Sequence, residues 1–360
     1  MTRLRTALIG CGKVGHIHAA ALASLEESEF VAVCDADASR AAAFASTYHT
    51  PAPYTDAGTM FRDAGVEAVV LATPHPLHAS HAVLAAKAGV HVLVEKPMAA
   101  NLDDCDRMME AAARYQIQLS VISQRRLYEP VRRMKAAIDA GKIGRPVLGT
   151  FLMLSWRDEA YYRSDPWRGR WDTEGGGVLV NQSPHQLDML VWIMGPIEEV
   201  SGCWANLNHP YVEIEDTALA MIRFRNGGLG SIVASLSQKP GIHTKVHIHG
   251  SNGASVGVQT DSGASFVAGM SEIAEPPLND IWTIPGEEGL LEQFQREDRA
   301  RFGEIHATMH YHQLQIQDFL CAILDHRAPM VTAEDGRRAV ELFTAIYRSN
   351  AERRPVRFPL

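Results

Sequence analysis

Lys96 is the residue whose type and place in the chain point most directly to chemistry. It follows a short apolar run, residues 90–94, and stands between Glu95 and Pro97. Such a run predicts a parallel strand buried on both faces, and open α/β sheets bind ligands at the carboxyl ends of these strands. Alone, the tripeptide would favour a solvated loop. Two further motifs favour a lysine placed beside the reactive ring of a cofactor.

A glycine motif upstream predicts where that cofactor binds. Residues 10–15 read Gly-Cys-Gly-Lys-Val-Gly and lie between a predicted strand and a predicted helix. The first glycine permits a tight turn, the second lets the backbone approach a pyrophosphate, and the third allows close helix packing. The helix N-terminus then offers N–H groups to the phosphates. The alternative is an ordinary glycine turn. We assign cofactor contacts to Gly10, Gly12, Lys13, Val14 and Gly15.

An acidic residue predicts the kind of dinucleotide. Asp35 ends the second predicted strand, about 20 positions after Gly15, where the ribose hydroxyls of NAD would be held. Its alternative role is that of a helix-capping aspartate. Asp35 and Asp37 would repel a 2′-phosphate, so NAD is favoured, while the nearby Arg40 keeps NADP open.

Downstream, a glycine-rich segment ends at a histidine. Residues 175–185 read Gly-Gly-Gly-Val-Leu-Val-Asn-Gln-Ser-Pro-His, and the glycines indicate a backbone that approaches a ligand. Hydride transfer from an alcohol needs a base for the hydroxyl proton and a group that stabilises the developing alkoxide. Histidine suits the first task near neutral pH, so His185 is the candidate base and Lys96 the stabilising group. A capped structural histidine is the alternative.

Asn181 is a further catalytic candidate. It lies four residues before His185 and would share a helix face with it if the chain is helical from residue 180 onward. An amide can orient a hydroxyl or an imidazole by hydrogen bonding but cannot stabilise an imidazolium by charge. We therefore expect Asn181 to bind a substrate hydroxyl.

A segment dense in tryptophan and arginine precedes the glycines. Residues 156–171 hold three of the six tryptophans of the chain. Aromatic faces pack on the C–H face of sugars, and arginine forks hydrogen-bond hydroxyls or carboxylates. We predict that Arg157, Tyr162 and Arg168 contact a sugar, glycoside or polyol. A packed loop with aromatic–arginine stacking is the alternative.

The remaining histidines do not predict a metal site. His75, His78 and His81 are spaced by three, and His247 and His249 alternate on a predicted strand. Zinc needs three or four converging ligands, and neither group is joined by a cysteine or carboxylate cluster, so we predict no metal. The histidines at 310 and 312 fit a surface position as well as a position in a pocket.

Composition limits the class of protein. The chain has 360 residues, 46% of them hydrophobic and 21% charged, with a formal net charge of −8; this length predicts two domains. The acidic balance argues against nucleic acid as a partner, and no apolar run approaches the length of a membrane span. No secretory signal is apparent, and five scattered cysteines are typical of reduced thiols. We expect a cytoplasmic protein without a membrane partner.

The predicted elements divide the chain near residue 124. Apolar strands at residues 6–9, 30–34, 66–72, 90–94 and 119–122 alternate with helical stretches, which predicts an α/β unit with a parallel sheet. A helix at residues 131–140 follows, then strands from 146 to about 268 that suggest a mainly antiparallel sheet. Residues 272–289 are predicted to be a long loop, and residues 310–324 and 333–351 to be helices.

These motifs together resemble the glucose–fructose oxidoreductase / inositol dehydrogenase / MocA (Gfo/Idh/MocA) family of NAD(P)-dependent oxidoreductases. The resemblance rests on residues 10–18, 72–78, 88–97 and 176–185. It implies an N-terminal Rossmann domain with a doubly wound parallel sheet, residues 1–124. It implies an α/β domain for substrate binding and oligomerisation, residues 125–360, with a large open, mainly antiparallel sheet.

The resemblance also implies roles for single residues. Lys96 would bind the substrate hydroxyl, His185 would act as general acid/base, and the peptide before Pro97 is often cis. Many members carry Asp where this chain has Asn181, which puts a proton relay through that position in doubt. Further cofactor contacts are implied for Thr73, Pro74, His75, His78, Glu95 and Lys96.

The sequence therefore predicts an NAD(P)-dependent sugar or cyclitol dehydrogenase (EC 1.1.1.-) that acts on a small carbohydrate or polyol, and the resemblance implies a homodimer or homotetramer. A second enzymatic interpretation is a glycosidase that uses NAD for transient oxidation and releases an aglycone without net NADH. A third is a non-catalytic dinucleotide-sensing regulator, which would need neither Lys96 nor His185.

Overall fold

The computed structural model describes residues 2–50, 52–262, 266–267, 270–271, 273 and 275–360. The chain forms two compact units. The first comprises Met1–Gln124 and Thr308–Arg337, and the second comprises Arg125–Ala307 and Arg338–Leu360. In the described ranges, no helix combines the length and the apolar character that a membrane crossing requires.

Among the described residues of the first unit, six parallel strands form one sheet in the order β3-β2-β1-β4-β5-β6. The order reverses between β1 and β4, which is the point where Rossmann sheets bind dinucleotides. The central strands are almost wholly buried because helices cover both faces. The strands are β1 (Leu4–Ile9), β2 (Ser28–Cys34), β3 (Ala52–Tyr54), β4 (Ala68–Leu71), β5 (His91–Val94) and β6 (Leu119–Val121).

Helices connect these strands, and several begin at residues that cap them. Asp37 accepts hydrogen bonds from the amides of Ser39 and Arg40, and Asn101 accepts one from the amide of Asp104; such side chains satisfy the N–H groups that a helix start leaves open. The helices are α1 (Lys13–Ser24), α2 (Ala38–Tyr48), α3 (Ala57–Asp63), α4 (His78–Lys87) and α5 (Leu102–Tyr115).

The second unit is built on an eight-stranded sheet, counted over the described residues, in the order β15-β12-β11-β7-β10-β9-β8-β16. Only the β7–β10 pair is parallel among its described pairs. Burial alternates along β9 and β11, so one face is covered and the other open. The strands are β7 (Pro146–Leu154), β8 (Ile197–Ala205), β9 (Thr217–Phe224), β10 (Leu229–Ser235), β11 (His243–Gly250), β12 (Ser255–Ser262), the separate pair β13 (Phe266–Val267) and β14 (Met270–Ser271), β15 (Leu278–Trp282) and β16 (Val356–Arg357).

Helices cover the buried face of this sheet. α8 is almost wholly buried and packs on β7, where Gly149 makes room: a Cβ there would lie 2.8 Å from side-chain atoms of Leu190 and Met194. A π-helical turn, Val178–Gln182, precedes α8. The helices of the unit are α6 (Glu129–Asp139), α7 (Glu159–Arg163), α8 (Pro184–Met194) and α9 (Leu290–Glu304).

Two helices near the C-terminus divide between the units. From Thr308 onward, α10 (Ala307–Leu324) belongs to the first unit, and the boundary between the units falls within α11 (Ala333–Glu352) at Arg337. α10 joins the Rossmann unit because its apolar residues, among them Phe319 and Leu320, share a hydrophobic cluster with Leu8 and Leu93.

The sequence placed the two sheets and their classes correctly but differs from the structure in two places. Residues 125–360 were assigned to one domain, whereas Thr308–Arg337 pack with the first unit. The stretch 272–289, predicted to be a loop, contains β15, which pairs with β12. Glu272 and the predicted end of the strand block near Ala268 lie outside the described residues.

Candidate functional site

The turn between β1 and α1 reveals which glycines the backbone requires. Gly10 has a φ of +100°, and a Cβ there would lie 2.5 Å from the carbonyl oxygen of Ala72. A Cβ on Gly15 would lie 2.4 Å from the carbonyl oxygen of Gly10. A Cβ on Gly12 would meet nothing within 4 Å, so the space beside the start of α1 is open. Lys13 and Val14 form the first helical positions. The turn fits a pyrophosphate held by the N–H groups of a helix start.

Asp35 lies at the neighbouring strand end. Its Oδ2 accepts a hydrogen bond from the amide of Cys11 at 2.9 Å, and its Oδ1 accepts one from the amide of Asp37 at 2.9 Å. Nη1 of Arg40 is 3.8 Å from Oδ2. The carboxylate is therefore oriented by backbone amides, as a ribose-binding acid should be. The carboxylates of Asp35 and Asp37 lie beside the single guanidinium of Arg40, and this excess of negative charge agrees with a preference for NAD. The preference stays a prediction.

The backbone around Lys96 is held on both sides. The Lys96–Pro97 peptide is cis, as the resemblance implies. The Lys96 amide donates to Oε2 of Glu95 at 3.0 Å, and the carbonyl oxygen of Pro97 lies 3.0 Å from Nδ1 of His78. The backbone of Lys96 is therefore held in a fixed position at the carboxyl end of β5.

Glu95 is buried beside two histidines. Its Oε1 lies 2.8 Å from Nε2 of His18 in α1 and 3.9 Å from Nε2 of His312 in α10. Burial acts to raise the pKa of Glu95, but the hydrogen bond from His18 and the positive charge of the neighbouring Lys96 contribute to holding it well below its usual range. Burial lowers the pKa of His312 to about 4, so this ring is neutral at pH 7. His312 is thus buried in the first unit and does not lie on the surface.

His78 has both ring nitrogens engaged by the chain. Nε2 lies 2.8 Å from the carbonyl oxygen of Thr73, opposite the contact to Pro97. Burial lowers the pKa of His78, while the two carbonyl oxygens oppose that shift. Its contribution to a cofactor site would come through the two loops that it joins. Contacts from Thr73, Pro74 and His75, which lead into a 3-10 turn at His75–Leu77, stay predictions.

No group of three or more His, Cys, Asp or Glu side chains in the described ranges is placed to hold a metal ion. Nε2 of His247 lies 2.8 Å from Oδ2 of Asp280 on β15, which is a hydrogen bond on the open side of the sheet. The described cysteines are all free thiols. Burial raises the pKa of Cys11 to about 12 and that of Cys34 to about 11, so both remain neutral beside Asp35.

Asn181 lies in the π-helical turn and is tied to two side chains of the second unit. Its Nδ2 donates to Oε1 of Glu174 at 2.5 Å and to the hydroxyl of Tyr161 at 3.1 Å. Both amide hydrogens are used in these bonds, so contact with a substrate hydroxyl would fall to Oδ1. The shared helix face expected for Asn181 and His185 does not extend through one α-helix, because α8 begins only at Pro184.

His185 occupies the second position of α8 and is 6% exposed. An ion pair one turn further along holds this helix: Nε and Nη2 of Arg126 donate to the two carboxylate oxygens of Asp188 at 2.8 and 2.5 Å. The guanidinium also lies 4.7 Å from the ring centroid of Trp192. Bidentate pairs of this kind fix orientation, so the start of α8 has a defined place in the second unit.

The arginine and aromatic residues upstream contact one another. Nη1 of Arg157 donates to the carbonyl oxygen of Trp156 at 2.7 Å, and Nη1 of Arg168 donates to the hydroxyl of Tyr161 at 2.5 Å. Tyr162 is buried in a cluster with Tyr161 and Ile214, and burial raises its pKa. These contacts agree with the packed-loop interpretation, and substrate contacts by Arg157, Tyr162 and Arg168 stay predictions.

Tyr161 is the site residue that sequence reasoning missed. Its hydroxyl receives hydrogen bonds from Asn181, Gln182 at 2.9 Å and Arg168. Burial raises its pKa to about 12, so it remains a neutral phenol. Nothing in the spacing distinguishes Tyr161 from its neighbour Tyr162, and only the course of α7 decides which ring faces Asn181.

Two family models match the chain. The model described as "Oxidoreductase family, NAD-binding Rossmann fold" matches residues 4–123, and the model described as "GFO/IDH/MocA C-terminal domain" matches residues 131–256. The chain belongs to the Gfo/Idh/MocA oxidoreductase family. Its first unit is an NAD-binding Rossmann domain, as the glycine motif predicts.

Three proteins are similar to the chain over 70% to 99% of its length. Myo-inositol 2-dehydrogenase of Thermotoga maritima is 27% identical over 361 residues, which cover 98% of each chain. A scyllo-inositol 2-dehydrogenase (NAD(+)) of Bacillus subtilis is 28% identical over 70% of this chain and 72% of its own. The WlbA dehydrogenase of Bordetella pertussis, solved with NADH and UDP-GlcNAcA, superposes with a TM-score of 0.84 at 28% identity over 99% of both chains.

The structure supplies a reason why this member of the Gfo/Idh/MocA family carries Asn181. An aspartate would place its carboxylate beside that of Glu174, whose Oε1 is 2.5 Å from the present amide nitrogen. Two carboxylates in one buried place cannot both ionise without cost. Asn181 and Glu174 are therefore a matched donor and acceptor.

Proposed function

We propose that this chain is an NAD-dependent dehydrogenase that oxidises a secondary alcohol of a sugar, sugar derivative or cyclitol. The observation that carries the proposal is Lys96 at the carboxyl end of β5 in an NAD-binding Rossmann domain. Relatives named as inositol dehydrogenases support the substrate class.

Each residue has a task in this reaction. Lys96 donates a hydrogen bond to the substrate oxygen and stabilises the charge that develops there. His185 removes the hydroxyl proton and returns it in the reverse direction. Oδ1 of Asn181 accepts a hydrogen bond from a second hydroxyl and orients the ring. Bound NAD supplies the hydride acceptor. Asp35 and the glycine turn at residues 10–15 hold NAD in preference to NADP.

The test is a panel of sugars, cyclitols and glycosides screened for NADH absorbance with NAD and with NADP. Lys96→Ala should lower kcat/KM by at least about 100-fold on any substrate found, and His185→Ala by about 100- to 10,000-fold. Lys87→Ala, at the exposed end of α4, is the matched control and should keep full activity. Full turnover by Lys96→Ala would exclude the assigned chemistry. Aglycone release without net NADH would instead favour the NAD-dependent glycosidase.

The open face of the second sheet supports a homo-oligomer. Leu219, Met221 and Leu229 lie on neighbouring strands β9 and β10 and are 45%, 70% and 49% exposed. Apolar patches of this kind are typical of contacts between subunits. Light scattering after gel filtration should give a dimer or tetramer that Met221→Glu dissociates. Leu207→Glu, which changes an exposed leucine outside the strands, should leave the mass unchanged.

A further inference from the structure

The carboxylate of Glu215 is buried in the second unit and accepts three hydrogen bonds. The donors are the amide of Gly177 at 2.7 Å, the amide of Leu179 at 3.0 Å and the hydroxyl of Tyr347 in α11 at 2.7 Å. The side chain has no exposed surface. Nothing in the reaction proposed above uses this acid.

The glycines before Asn181 are shaped to fit Glu215 and Tyr347. A Cβ on Gly177 would lie 1.8 Å from the carbonyl oxygen of Glu215, and one on Gly176 would lie 2.3 Å from the hydroxyl of Tyr347. The amide of Val178 also donates to the Glu215 carbonyl oxygen at 3.1 Å. These glycines let the backbone approach Glu215 and Tyr347, where the sequence had indicated an approach to a ligand.

The segment held in this way carries the proposed site residues of the second unit. Gly177 caps the π-helical turn, and the amide of Asn181 donates to the Gly177 carbonyl oxygen at 2.9 Å. His185 follows four residues later, at the second position of α8. Two tryptophans fix the other partner: the ring centroids of Trp171 and Trp204 lie 5.4 and 6.2 Å from that of Tyr347.

We propose that Glu215 and Tyr347 form a positioning pair that fixes the π-helical turn, and with it Asn181 and the start of α8, for hydride transfer. This inference rests on the function proposed above, because it assumes that Asn181 and His185 contact the substrate.

Stability alone does not explain a buried acid at this place. Burial raises the pKa of Glu215 to about 7, against the hydrogen bonds from Leu179, Tyr347 and Gly177, which lower it. An ionised group there is therefore unfavourable for folding, and apolar side chains of similar volume are often as stable or more so. What the carboxylate adds is direction, since it fixes the backbone amides of Gly177 and Leu179 and the hydroxyl of Tyr347 at defined points.

The experiment combines amide exchange with kinetics in the full-length protein. Glu215→Gln keeps the volume but places an amide N–H₂ against a backbone donor, and Tyr347→Phe removes a single hydrogen bond. Glu110→Gln and Tyr115→Phe, both on the exposed side of α5, are the matched controls. Hydrogen exchange at the amides of Gly177 and Leu179, the melting temperature, kcat and KM are measured for each variant.

We expect exchange at the two amides to become at least about tenfold faster in Glu215→Gln, and kcat to fall by about 10- to 100-fold with KM within about threefold, because small misplacements of reacting groups act on the rate. Tyr347→Phe should show the same pattern with a drop of about fivefold. Neither control should change.

Two results would overturn the inference. Unchanged exchange at Gly177 and Leu179 in Glu215→Gln would mean that the carboxylate does not hold the turn. Faster exchange in Tyr347→Phe with an unaltered melting temperature and an unaltered kcat would mean that the turn does not position the reaction. A wild-type protein that oxidises nothing in the substrate panel would instead overturn the proposed function, and the exchange measurement would still decide whether Glu215 holds the turn.

Discussion

Removal of His18 should leave a buried charge without its main partner. Nε2 of His18 lies 2.8 Å from Oε1 of Glu95, and the two side chains are 0% and 11% exposed. Loss of the imidazole that hydrogen-bonds a buried carboxylate leaves that charge unsatisfied, which typically costs about 3–5 kcal/mol. We therefore expect His18→Leu to lower the free energy of unfolding by about 3–5 kcal/mol at pH 7.5. Glu95→Gln in the same chain should recover about 2 kcal/mol of that loss.

The pH dependence has a defined sign. His18 helps to hold the pKa of Glu95 below its usual value of 4.5, so the carboxylate of Glu95 contributes stability above pH 4.5 that is lost as the pH falls. Without His18, burial raises the pKa of Glu95 and the carboxyl takes up a proton more readily. The loss of stability in His18→Leu should therefore be largest at pH 7.5 and smaller at pH 5.

Urea unfolding followed by circular dichroism and tryptophan fluorescence measures these free energies. His16→Leu changes an exposed histidine of the same helix and should alter stability by less than about 1 kcal/mol. The reasoning is refuted if His18→Leu costs less than about 1 kcal/mol, or if its cost is the same with Glu95 and with Gln at position 95.

Three further measurements address the cofactor site, the turn and the buried acid. Asp35→Ser should raise the ratio of kcat/KM with NADP to that with NAD by at least about tenfold, because a carboxylate that repels a 2′-phosphate is lost; an unchanged ratio would contradict the assignment. Asn181→Asp should destabilise the protein by about 1–3 kcal/mol at pH 7.5 through repulsion from Glu174, and Glu174→Gln should restore it; melting curves of both variants decide. Burial raises the pKa of Glu215 from 4.5 to about 7, so this group gives the wild type stability that is present at low pH and lost as the pH rises through 7. Glu215→Gln has no such group to titrate, and its free energy of unfolding should therefore rise by about 3 kcal/mol relative to the wild type between pH 4.5 and pH 8. Urea unfolding that shows the same pH dependence for both proteins would refute this.

The Rossmann unit was predictable because its signals are local. The glycine spacing predicts the turn at residues 10–15, and the apolar run predicts the strand before Lys96. Gly10 and Gly15 occupy the positions where a Cβ would collide with backbone atoms. The acid at Asp35 follows from the same spacing. The glycines and the acid follow a fixed spacing within the first strand–helix–strand segment, so the sequence shows them even though the backbone that Gly10 approaches belongs to Ala72.

The second unit was less predictable because its site depends on contacts between distant segments. Glu215 holds the turn before Asn181 from 38 residues beyond Gly177, and Tyr347, which donates to Glu215, lies a further 132 residues along the chain. No periodicity marks a buried glutamate that binds backbone amides. Likewise, β15 was predicted as loop because its strand character comes from pairing with β12, and its polar residues Asn279 and Asp280 conceal the pattern.

The return of α10 to the first unit has a consequence for engineering. A polypeptide cut after residue 124 would lack the apolar side chains of α10 that complete the cluster around Leu8 and Leu93, and it would also lack the imidazole of His312 beside Glu95. The NAD-binding unit is therefore not formed by one contiguous segment of the chain. Any chimera that exchanges it between relatives must transplant two separated stretches of chain, 1–124 and 308–337, together.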